Sequence, residues 1–340
     1  MNRLGFVLIG FIVVGLWCHA ETNRFIVASW NVENLFDTVD DPNNDGDDPY
    51  TPLGTSRWNE SRYAMKLKNL SRVIAAMQPD VLCLVEIENR RVLDDLIHTL
   101  KQQEQYDLPC VIQRDSTDPR GIDTAILSRR PALYTNWISA VVGQRDIAIG
   151  TFRMDSTNAV TVMANHWKSQ LGKKTMSDAI RTQEAIALKT EVERQRAVCP
   201  HNAILVAGDF NDQVDSAILT TVAGLRLDKE DMLKAGSRYV LYNLSAALSE
   251  TQRGSYYYSP GKKWNSFDSI SVSKELCAGP WLVERYEVYH FPQHVSSSGA
   301  PIPFRRVRSK EVGDTYVQGF SDHFPVRAVF RLQDQTPAKQ

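Results

Sequence analysis

The sequence lacks an excess of positive charge. Its 39 Lys and Arg residues are matched by 40 Asp and Glu residues. A protein that grips long duplex DNA usually carries a strong basic excess, which neutralises phosphates and releases counterions. The composition therefore gives no support to a protein whose main task is to hold duplex DNA.

Several chemical signatures are also missing. The five cysteines include no CxxC pair and no Cys/His cluster at zinc spacing, which excludes the common structural zinc sites. The sequence has no GxSxG, HExxH or Walker A motif, so it lacks the serine-hydrolase elbow, the zinc-protease helix and the P-loop. Cys83 lies in an apolar run and is predicted to be buried. Cys110 and Cys199 lie beside prolines in predicted loops, and whether they pair in an oxidising compartment is left open by the sequence.

The only long hydrophobic run is at the N-terminus. It extends from Leu4 to Trp17, follows Arg3 and precedes Ala20. It is too short to span a bilayer, and this pattern is typical of a cleaved secretory signal. We expect a signal peptide over residues 1–20 and export to the periplasm or the exterior, with no transmembrane segment after cleavage. Cys18 raises the alternative of a lipid anchor, but the bulky Trp17 before it disfavours lipidation.

Residues 21–340 contain no linker, internal repeat or low-complexity tract. We therefore predict one domain, and we expect a monomer. Apolar residues recur at helical spacing from Tyr63 to Met77, which predicts a helix that ends before Pro79. A second helix is predicted from Ser177, as its N-cap, to about Ala197, with charges on its outer face. The predicted strands are Phe25–Asn31, Val81–Ile87, Thr124–Ser128, Val160–His166, Ala203–Ala207, Phe267–Val272 and Val326–Leu332.

Polar residues stand where these strands end. An acid, amide or imidazole at the end of an apolar strand is delivered to one edge of a sheet, where a pocket can gather several of them. Together such residues supply what metal-assisted hydrolysis of a phosphate ester needs. They are Asn31, Glu86, His166, Asp209, Asn211, Asp268, Asp322 and His323.

Two segments carry a resemblance to a known family. GDFND, at residues 208–212, and SDHFPV, at residues 321–326, resemble motifs of the endonuclease/exonuclease/phosphatase superfamily, the DNase I-like Mg2+-dependent phosphoesterases. The resemblance runs from about Phe25 to Leu332 and is strongest to the exported bacterial branch. It implies an α/β fold, a four-layer sandwich of two packed mixed sheets flanked by helices.

The resemblance also implies a metal site. Glu86 would be the principal Mg2+ ligand, and Asn31 would help to position the metal and the phosphate. Asp322 is the third candidate ligand. Mn2+ is the alternative to Mg2+ as the cofactor.

For proton transfer, the resemblance implies that Asp268 orients the imidazole of His323. Either His323 or Asp209 would remove a proton from the attacking water, and the pattern favours His323 without deciding between them. Asn211 would donate to the phosphorus centre. His166 would donate to a phosphate oxygen, although a lone histidine is more often a buried structural residue.

Basic residues give candidates for substrate binding. Arg120 and Arg145, with Asp123 near them, are predicted to line the mouth of the pocket, where a guanidinium can bind phosphate through two N–H groups. Lys168 is a further candidate, beside His166. The cluster from Arg305 to Lys310 is predicted to be a solvated loop.

The segment from Asp41 to Gly46 matches the first half of a calcium-binding EF-hand loop. Its twelfth position is Pro52 instead of the bidentate Glu. The sequence therefore favours an acidic loop near the rim of the site over a calcium loop.

Three functions follow from these residues. The preferred one is hydrolysis of a phosphate ester, either a diester or a monoester, by metal-assisted attack of water. The second is a secreted nuclease acting on DNA or RNA. A third hypothesis, from another class, is a surface-binding protein that kept the fold and lost catalysis, but the presence of Glu86, Asp209, Asn211 and His323 disfavours it.

Overall fold

The structure is a computed structural model that describes residues 23–42, 44–236, 239–309 and 313–333. The predicted signal peptide and Cys18 lie outside these residues. Among the described residues, no helix combines the length and hydrophobicity needed to cross a bilayer. The strands are β1 (Arg24–Leu35), β2 (Val81–Ile87), β3 (Cys110–Gln113), β4 (Asp123–Ser128), β5 (Tyr134–Ile138), β6 (Ile147–Arg153), β7 (Ala159–His166), β8 (Ala203–Asp209), β9 (Leu225–Arg226), β10 (Leu241–Asn243), β11 (Tyr256–Tyr258), β12 (Lys263–Asn265), β13 (Asp268–Val272), β14 (Trp281–Val288), β15 (Phe304–Ser309), β16 (Gly313–Gln318) and β17 (Val326–Leu332).

Helices cover the outer faces of the sheets. Helix α1 begins after Asn59, whose side chain accepts from the Arg62 N–H, and it ends at Gln78 in the left-handed conformation, just before Pro79. This agrees with the predicted first helix. The helices are α1 (Glu60–Met77), α2 (Arg90–Glu104), α3 (Lys174–Val198), α4 (Lys229–Lys234) and α5 (Glu275–Ala278), with short 3-10 helices at Asp48–Tyr50, Leu244–Ala247, Ser259–Gly261 and Pro292–His294 and a π-helix at Ile218–Val222.

Two mixed sheets form the centre of the molecule. The first has the strand order β14-β17-β1-β2-β4-β3, and the second has the order β5-β6-β7-β8-β13-β10-β9. Strand β1, from the start of the chain, pairs in parallel with β2 and antiparallel with β17, from the end of the chain. Both ends of the sequence therefore contribute neighbouring strands to one sheet.

The hydrophobic residues sort into three layers. One core cluster lies between the sheets and includes Phe25, Ile126, Val162 and Leu205. A second packs α1 and α2 on the first sheet, and a third packs α3 on the second sheet. This is the four-layer α/β sandwich that the sequence predicted, because the two sheets pack on each other and helices cover their outer faces.

Helix α3 differs from its prediction in two respects. It begins at Lys174, and Lys173 precedes it without a side-chain cap. Ser177 is buried within the first turn and donates to the Leu171 carbonyl at 3.2 Å, so its assignment as the N-cap was wrong. Charged residues also occupy the inner face, since Arg181 and Glu184 are buried and hold the segment after β7 through hydrogen bonds to Lys168.

The predicted solvated loop at Arg305–Lys310 is instead part of a hairpin. Strand β15 pairs antiparallel with β16 along its length, and Lys310 lies outside the described residues. The guanidinium of Arg305 lies 3.3 Å from Asp322 and 3.4 Å from Glu33. The cluster was missed as a strand because its charged residues lack apolar alternation.

The four cysteines in the described part of the chain form no disulfide. Cys83 is buried on β2, as predicted, and Cys277 is also buried. Cys110 is a partly buried residue of β3, not of a loop, and Cys199 is exposed at the end of α3. Both are free thiols in this structure, so the pairing left open by the sequence is not formed.

Candidate active site

A cavity of about 1000 Å³ opens where β1, β2, β7 and β8 end. Parallel strands place their carboxyl ends at the same edge of a sheet, which explains why distant segments meet here. Every predicted site residue except Asp268 and Asp123 lines this cavity. These residues are Asn31, Glu86, Arg120, Arg145, His166, Lys168, Asp209, Asn211, Asp322 and His323.

Asp209 lies at the centre of the site. Its Oδ2 accepts a hydrogen bond from Asn31 Nδ2 at 3.1 Å and lies 3.9 Å from the Nε2 atoms of both His166 and His323. Its Oδ1 accepts from the backbone N–H of Asn211 at 2.8 Å. One buried carboxylate thus faces two imidazoles with its orientation fixed by an amide and a backbone N–H.

Asp268 lies behind His323. It is fully buried at the start of β13, and its Oδ2 lies 2.7 Å from His323 Nδ1. The Tyr256 ring covers the imidazole, with ring centroids 4.7 Å apart. The other ring nitrogen, Nε2, is left facing Asp209 and the cavity. The structure thus brings together the two residues that the sequence prediction paired.

The surroundings shift the pKa values of His323, Asp209 and His166 in different directions. Burial by itself would lower the pKa of His323, but the Asp268 and Asp209 carboxylates raise it well above its ordinary value. Burial and the nearby charge of Asp268 raise the pKa of Asp209 to about 7. Burial and the guanidinium of Arg145 hold the pKa of His166 well below its usual range. These shifts favour the neutral form of His166 and the protonated form of His323.

Glu86 projects into the cavity from a break in the regular strand. Its φ is +65°, and the register between β2 and β4 shifts at this point. Its Oε2 accepts from the Asn34 N–H at 2.8 Å. Its Oε1 has no hydrogen-bond donor among the described residues, and Arg120 Nη2 lies 3.7 Å away. A bulge of this kind re-aims a side chain at a functional site.

The residues present fit a hard divalent cation. Glu86 and Asp322 offer carboxylate oxygens and Asn31 offers an amide oxygen to the same cavity, and such oxygens are the ligands that Mg2+ and Ca2+ prefer. No thiol lines the cavity. Deeper in the site, Asp209, Asp268 and His323 bring potential ligand atoms within 4.8 Å of one another.

A close approach of two strands fixes the position of Asp209. Gly208 has a φ of +150°, and a Cβ added to it would lie 1.9 Å from the Asn165 carbonyl oxygen on β7. Only glycine fits between these strands. This close approach keeps His166 and Asp209 side by side in the ladder between β7 and β8.

The guanidinium of Arg145 is engaged in hydrogen bonds within the protein. Arg145 is buried, and its guanidinium donates to Asp118 Oδ2 at 2.8 Å, to the Trp167 carbonyl at 2.7 Å and to the His166 carbonyl at 3.2 Å. These bonds fix the segment that carries His166. Arg120, in contrast, is half-exposed and donates to Asn34 at 2.6 Å.

Asp123 does not line the main cavity, contrary to the prediction. It is buried at the start of β4 and lines a second, smaller cavity. Its carboxylate accepts from the Ser116 N–H at 2.8 Å and from Gln113 at 3.2 Å. These hydrogen bonds shape the loop that leads to Arg120.

Sequence reasoning missed a buried charged group beside the site. Lys66 of α1 is fully buried and donates to the carbonyls of Glu33 and Phe320, each at 3.0 Å. Burial raises the pKa of Glu33 to about 8 and lowers that of Lys66 to about 8. Glu33 lines the cavity and accepts from the Phe304 N–H at 2.5 Å. The one signal in the sequence was that Glu33 follows Asn31 by two residues. This spacing alone is too weak to predict a buried charged group.

Comparison with known proteins identifies the family to which this fold belongs. A family model described as Endonuclease/Exonuclease/phosphatase family matches residues 26–332. The chain belongs to this family. It is a phosphoesterase hydrolase, and enzymes of this family depend on a divalent metal. No curated protein matches the chain in sequence.

Solved structures share the fold at low sequence identity. A humanised TDP2 from D. rerio is 17% identical with a TM-score of 0.57, covering 91% of this chain and 100% of its own. TDP2 from D. rerio in complex with a single-strand DNA product is 18% identical with a TM-score of 0.54, again covering 91% and 100%. A mannosyl-6-phosphatase from Bacteroides thetaiotaomicron is 16% identical with a TM-score of 0.53, covering 90% and 99%.

Proposed function

We propose that this protein is an exported, Mg2+-dependent enzyme that hydrolyses a small phosphate ester by direct attack of water. The observation that carries the proposal is the position of Asp209 Oδ2, 3.9 Å from both His166 and His323 at the floor of a cavity that Glu86 also lines. A carboxylate and two imidazoles around one point suit proton transfer and charge stabilisation at a phosphorus centre.

Glu86 would hold the metal, with Asn31 and Asp322 as further oxygen ligands. A divalent cation held there, Mg2+ or Mn2+, would supply positive charge to neutralise the phosphate and the leaving oxygen. The register shift at Glu86 supports this role, because it turns the carboxylate toward the cavity. The half-exposed Arg120 would share that carboxylate with the metal and approach the substrate from the mouth.

Asp209 is the better candidate for the proton acceptor. His323 carries a proton in the free protein, since its pKa is raised well above the ordinary value, and a protonated imidazole cannot accept another. The pKa of Asp209 is about 7, close to the working range of a general base. In this assignment Asp268 keeps His323 cationic, and the cation stabilises negative charge on the phosphate.

The remaining residues would bind the phosphate oxygens. Neutral His166 can donate from Nε2, and Asn211 has a left-handed backbone, with a φ of +49°, at the turn after β8. Lys168 lines the cavity and is partly exposed. Arg145 would act by positioning His166, because its N–H groups are already engaged in hydrogen bonds with the protein.

The charges of the cavity favour a small substrate. Arg120, Lys168, Lys263 and two arginines of β15 are interspersed with five carboxylates, so no continuous basic track leads away from the site. The carboxylates are those of Glu33, Glu86, Asp118, Asp209 and Asp322.

A nuclease acting on single strands is the second candidate. Tyr50, Trp58, Tyr256, Tyr258 and Tyr316 line the same cavity, and aromatic rings can stack on unpaired bases. A structural neighbour was solved with a single-strand DNA product.

The experiment uses purified residues 21–340 in wild-type form and as Glu86→Gln. Turnover of bis-p-nitrophenyl phosphate, sugar phosphates, inositol phosphates, sphingomyelin, RNA and plasmid DNA is measured with Mg2+, with Mn2+ and with EDTA. We expect EDTA and Glu86→Gln each to remove most activity, by about 100-fold or more, while the melting temperature Tm stays unchanged.

Glu250→Gln is the matched control, because Glu250 is exposed and lies outside the cavity. It should retain wild-type turnover. Full activity of Glu86→Gln at low Mg2+ would remove Glu86 from the metal site. Faster turnover of single-stranded nucleic acid than of any small ester would favour the second candidate.

A further inference from the structure

A second group of acidic residues lies outside the active site. Asp40, Asp47 and Asp48 belong to the segment between β1 and α1, and each offers a carboxylate oxygen within 4.8 Å of the others. Like charges this close repel one another unless a cation or protons compensate them. Among the described residues, no salt bridge reaches any of the three.

One oxygen of this group is buried without a partner. Asp47 is only 2% exposed, and its Oδ1 has no hydrogen-bond partner among the described residues. Its Oδ2 accepts from the Asp41 N–H at 2.7 Å. Leaving a buried carboxylate oxygen without a partner costs about 1–3 kcal/mol or more, so a native protein usually provides a donor or a cation.

We propose that Asp40, Asp47 and Asp48 bind a Ca2+ ion that is separate from the catalytic metal. Ca2+ takes six to eight oxygen ligands in flexible geometry, whereas Mg2+ demands near-ideal octahedral coordination. Three carboxylates from one short segment of loop suit the flexible coordination of Ca2+ better than the strict octahedral coordination of Mg2+. Asp40 and Asp48 are exposed, so the ion can enter from solvent and complete its shell with water.

The site is not an EF-hand. The loop is preceded by β1 and is followed by the short 3-10 helix Asp48–Tyr50, so it lacks flanking α-helices. Asp40 lies one residue before the EF-hand-like segment, and Asp47 and Asp48 lie after its glycine, Gly46. The proposed ligands thus lie beside the EF-hand-like segment and do not include its Asp41 or Asp45.

The ion would hold one wall of the active-site cavity. Gly46 packs so tightly on the next loop that an added Cβ would lie 2.5 Å from the carbonyl carbon of Arg120. Tyr50, two residues after Asp48, lines the cavity and stacks on Phe36 with ring centroids 4.1 Å apart. Fixing this loop therefore stabilises the backbone of Arg120 and the aromatic wall without contact with the reacting atoms.

Calcium binding is tested on residues 21–340 carrying Glu86→Gln, which weakens divalent binding at the catalytic site. Calorimetric titration with CaCl2 and the shift of Tm in CaCl2 are measured for this protein and for the same protein with Asp40→Asn and Asp48→Asn added. Because both added changes are at exposed positions, they should leave the fold intact. We expect a Kd of about 0.1–1 mM, weakened at least about tenfold when both carboxylates are removed.

Asp45→Asn is the matched control, because Asp45 is an exposed acid of the same loop that is not in the cluster. It should retain the Ca2+ affinity and the Tm shift. Equal affinity of the control and the double variant would overturn the proposal, as would the absence of any saturable heat in the parent protein. Equal stabilisation by Mg2+ and Ca2+ would overturn the assignment to calcium.

Discussion

His323 Nδ1 lies 2.7 Å from Asp268 Oδ2, although 55 residues separate them in the chain. Strand β13 brings this carboxylate into register with Asp209 on β8, where Asp268 and Asp209 are direct partners in the ladder. One imidazole therefore lies between two carboxylates from neighbouring strands. Asp268 binds one ring nitrogen and is shielded from solvent, while the other ring nitrogen faces the cavity.

This relationship predicts non-additive losses of activity. His323→Ala and Asp268→Asn should each lower kcat by about 10²–10⁴-fold, and the double variant should be little worse than His323→Ala, because the two residues act as one unit. Steady-state kinetics with the best small ester gives the four rates, and circular dichroism controls for folding. Losses that multiply in the double variant would show that Asp268 does not act through His323.

Gly208→Ala should destabilise the protein and displace Asp209. The added Cβ would meet the Asn165 carbonyl oxygen at 1.9 Å, and the backbone conformation also disfavours an L side chain. We expect the free energy of unfolding to fall by about 2 kcal/mol or more, measured by urea denaturation. Gly236→Ala is the control, because a Cβ there meets nothing within 4 Å. Equal stability of the two variants would contradict the close approach.

His294 should make stability depend on pH. It is fully buried, its Nε2 lies 2.7 Å from the Ser321 carbonyl oxygen, and burial lowers its pKa from 6.5 to about 3. Between these two values the unfolded chain binds the proton and the folded chain does not. Stability should therefore fall as the pH drops from 6.5 toward 3, by about 1.4 kcal/mol per pH unit from this group.

The measurement is urea unfolding across that pH range for wild type and His294→Gln, in which an amide N–H can replace the Nε2 donor. The slope of the unfolding free energy against pH should decrease in the variant. His98→Gln, at an exposed histidine, should keep the wild-type slope. An unchanged slope in His294→Gln would mean that His294 does not cause the loss of stability at low pH.

Binding to duplex DNA should be weak and should depend little on salt. The chain has no net basic excess, and the basic side chains of the cavity are interspersed with carboxylates, so few phosphate contacts form. Asp209→Ala allows binding to be measured without turnover, by fluorescence anisotropy against salt concentration. Tight binding at physiological ionic strength with a steep salt slope would replace the small-ester proposal with a dedicated nuclease.

Local sequence was sufficient for the strands that carry Asn31, Glu86, His166, Asp209 and Asp268 and for the first helix. The predicted bounds of β2 and β17 coincide with those in the structure. The first helix ends at Met77, before Pro79, as its pattern predicted. Apolar runs with β-branched residues form strands wherever they are buried, so their bounds depend little on the rest of the chain. The family motifs similarly identified the four-layer sandwich.

The tertiary structure decided which polar groups face each other. It also decided which charged side chains are exposed at the cavity and which form hydrogen bonds within the protein. Nothing in the sequence distinguishes Arg120, which is half-exposed at the cavity, from Arg145, which is buried and hydrogen-bonded to the segment after β7. The same holds for Lys66, whose burial beneath the site comes from the docking of α1 on β1. Strand pairing and helix packing join residues that are distant in the chain, and the energies of burial and charge pairing that set these roles exist only after those contacts form.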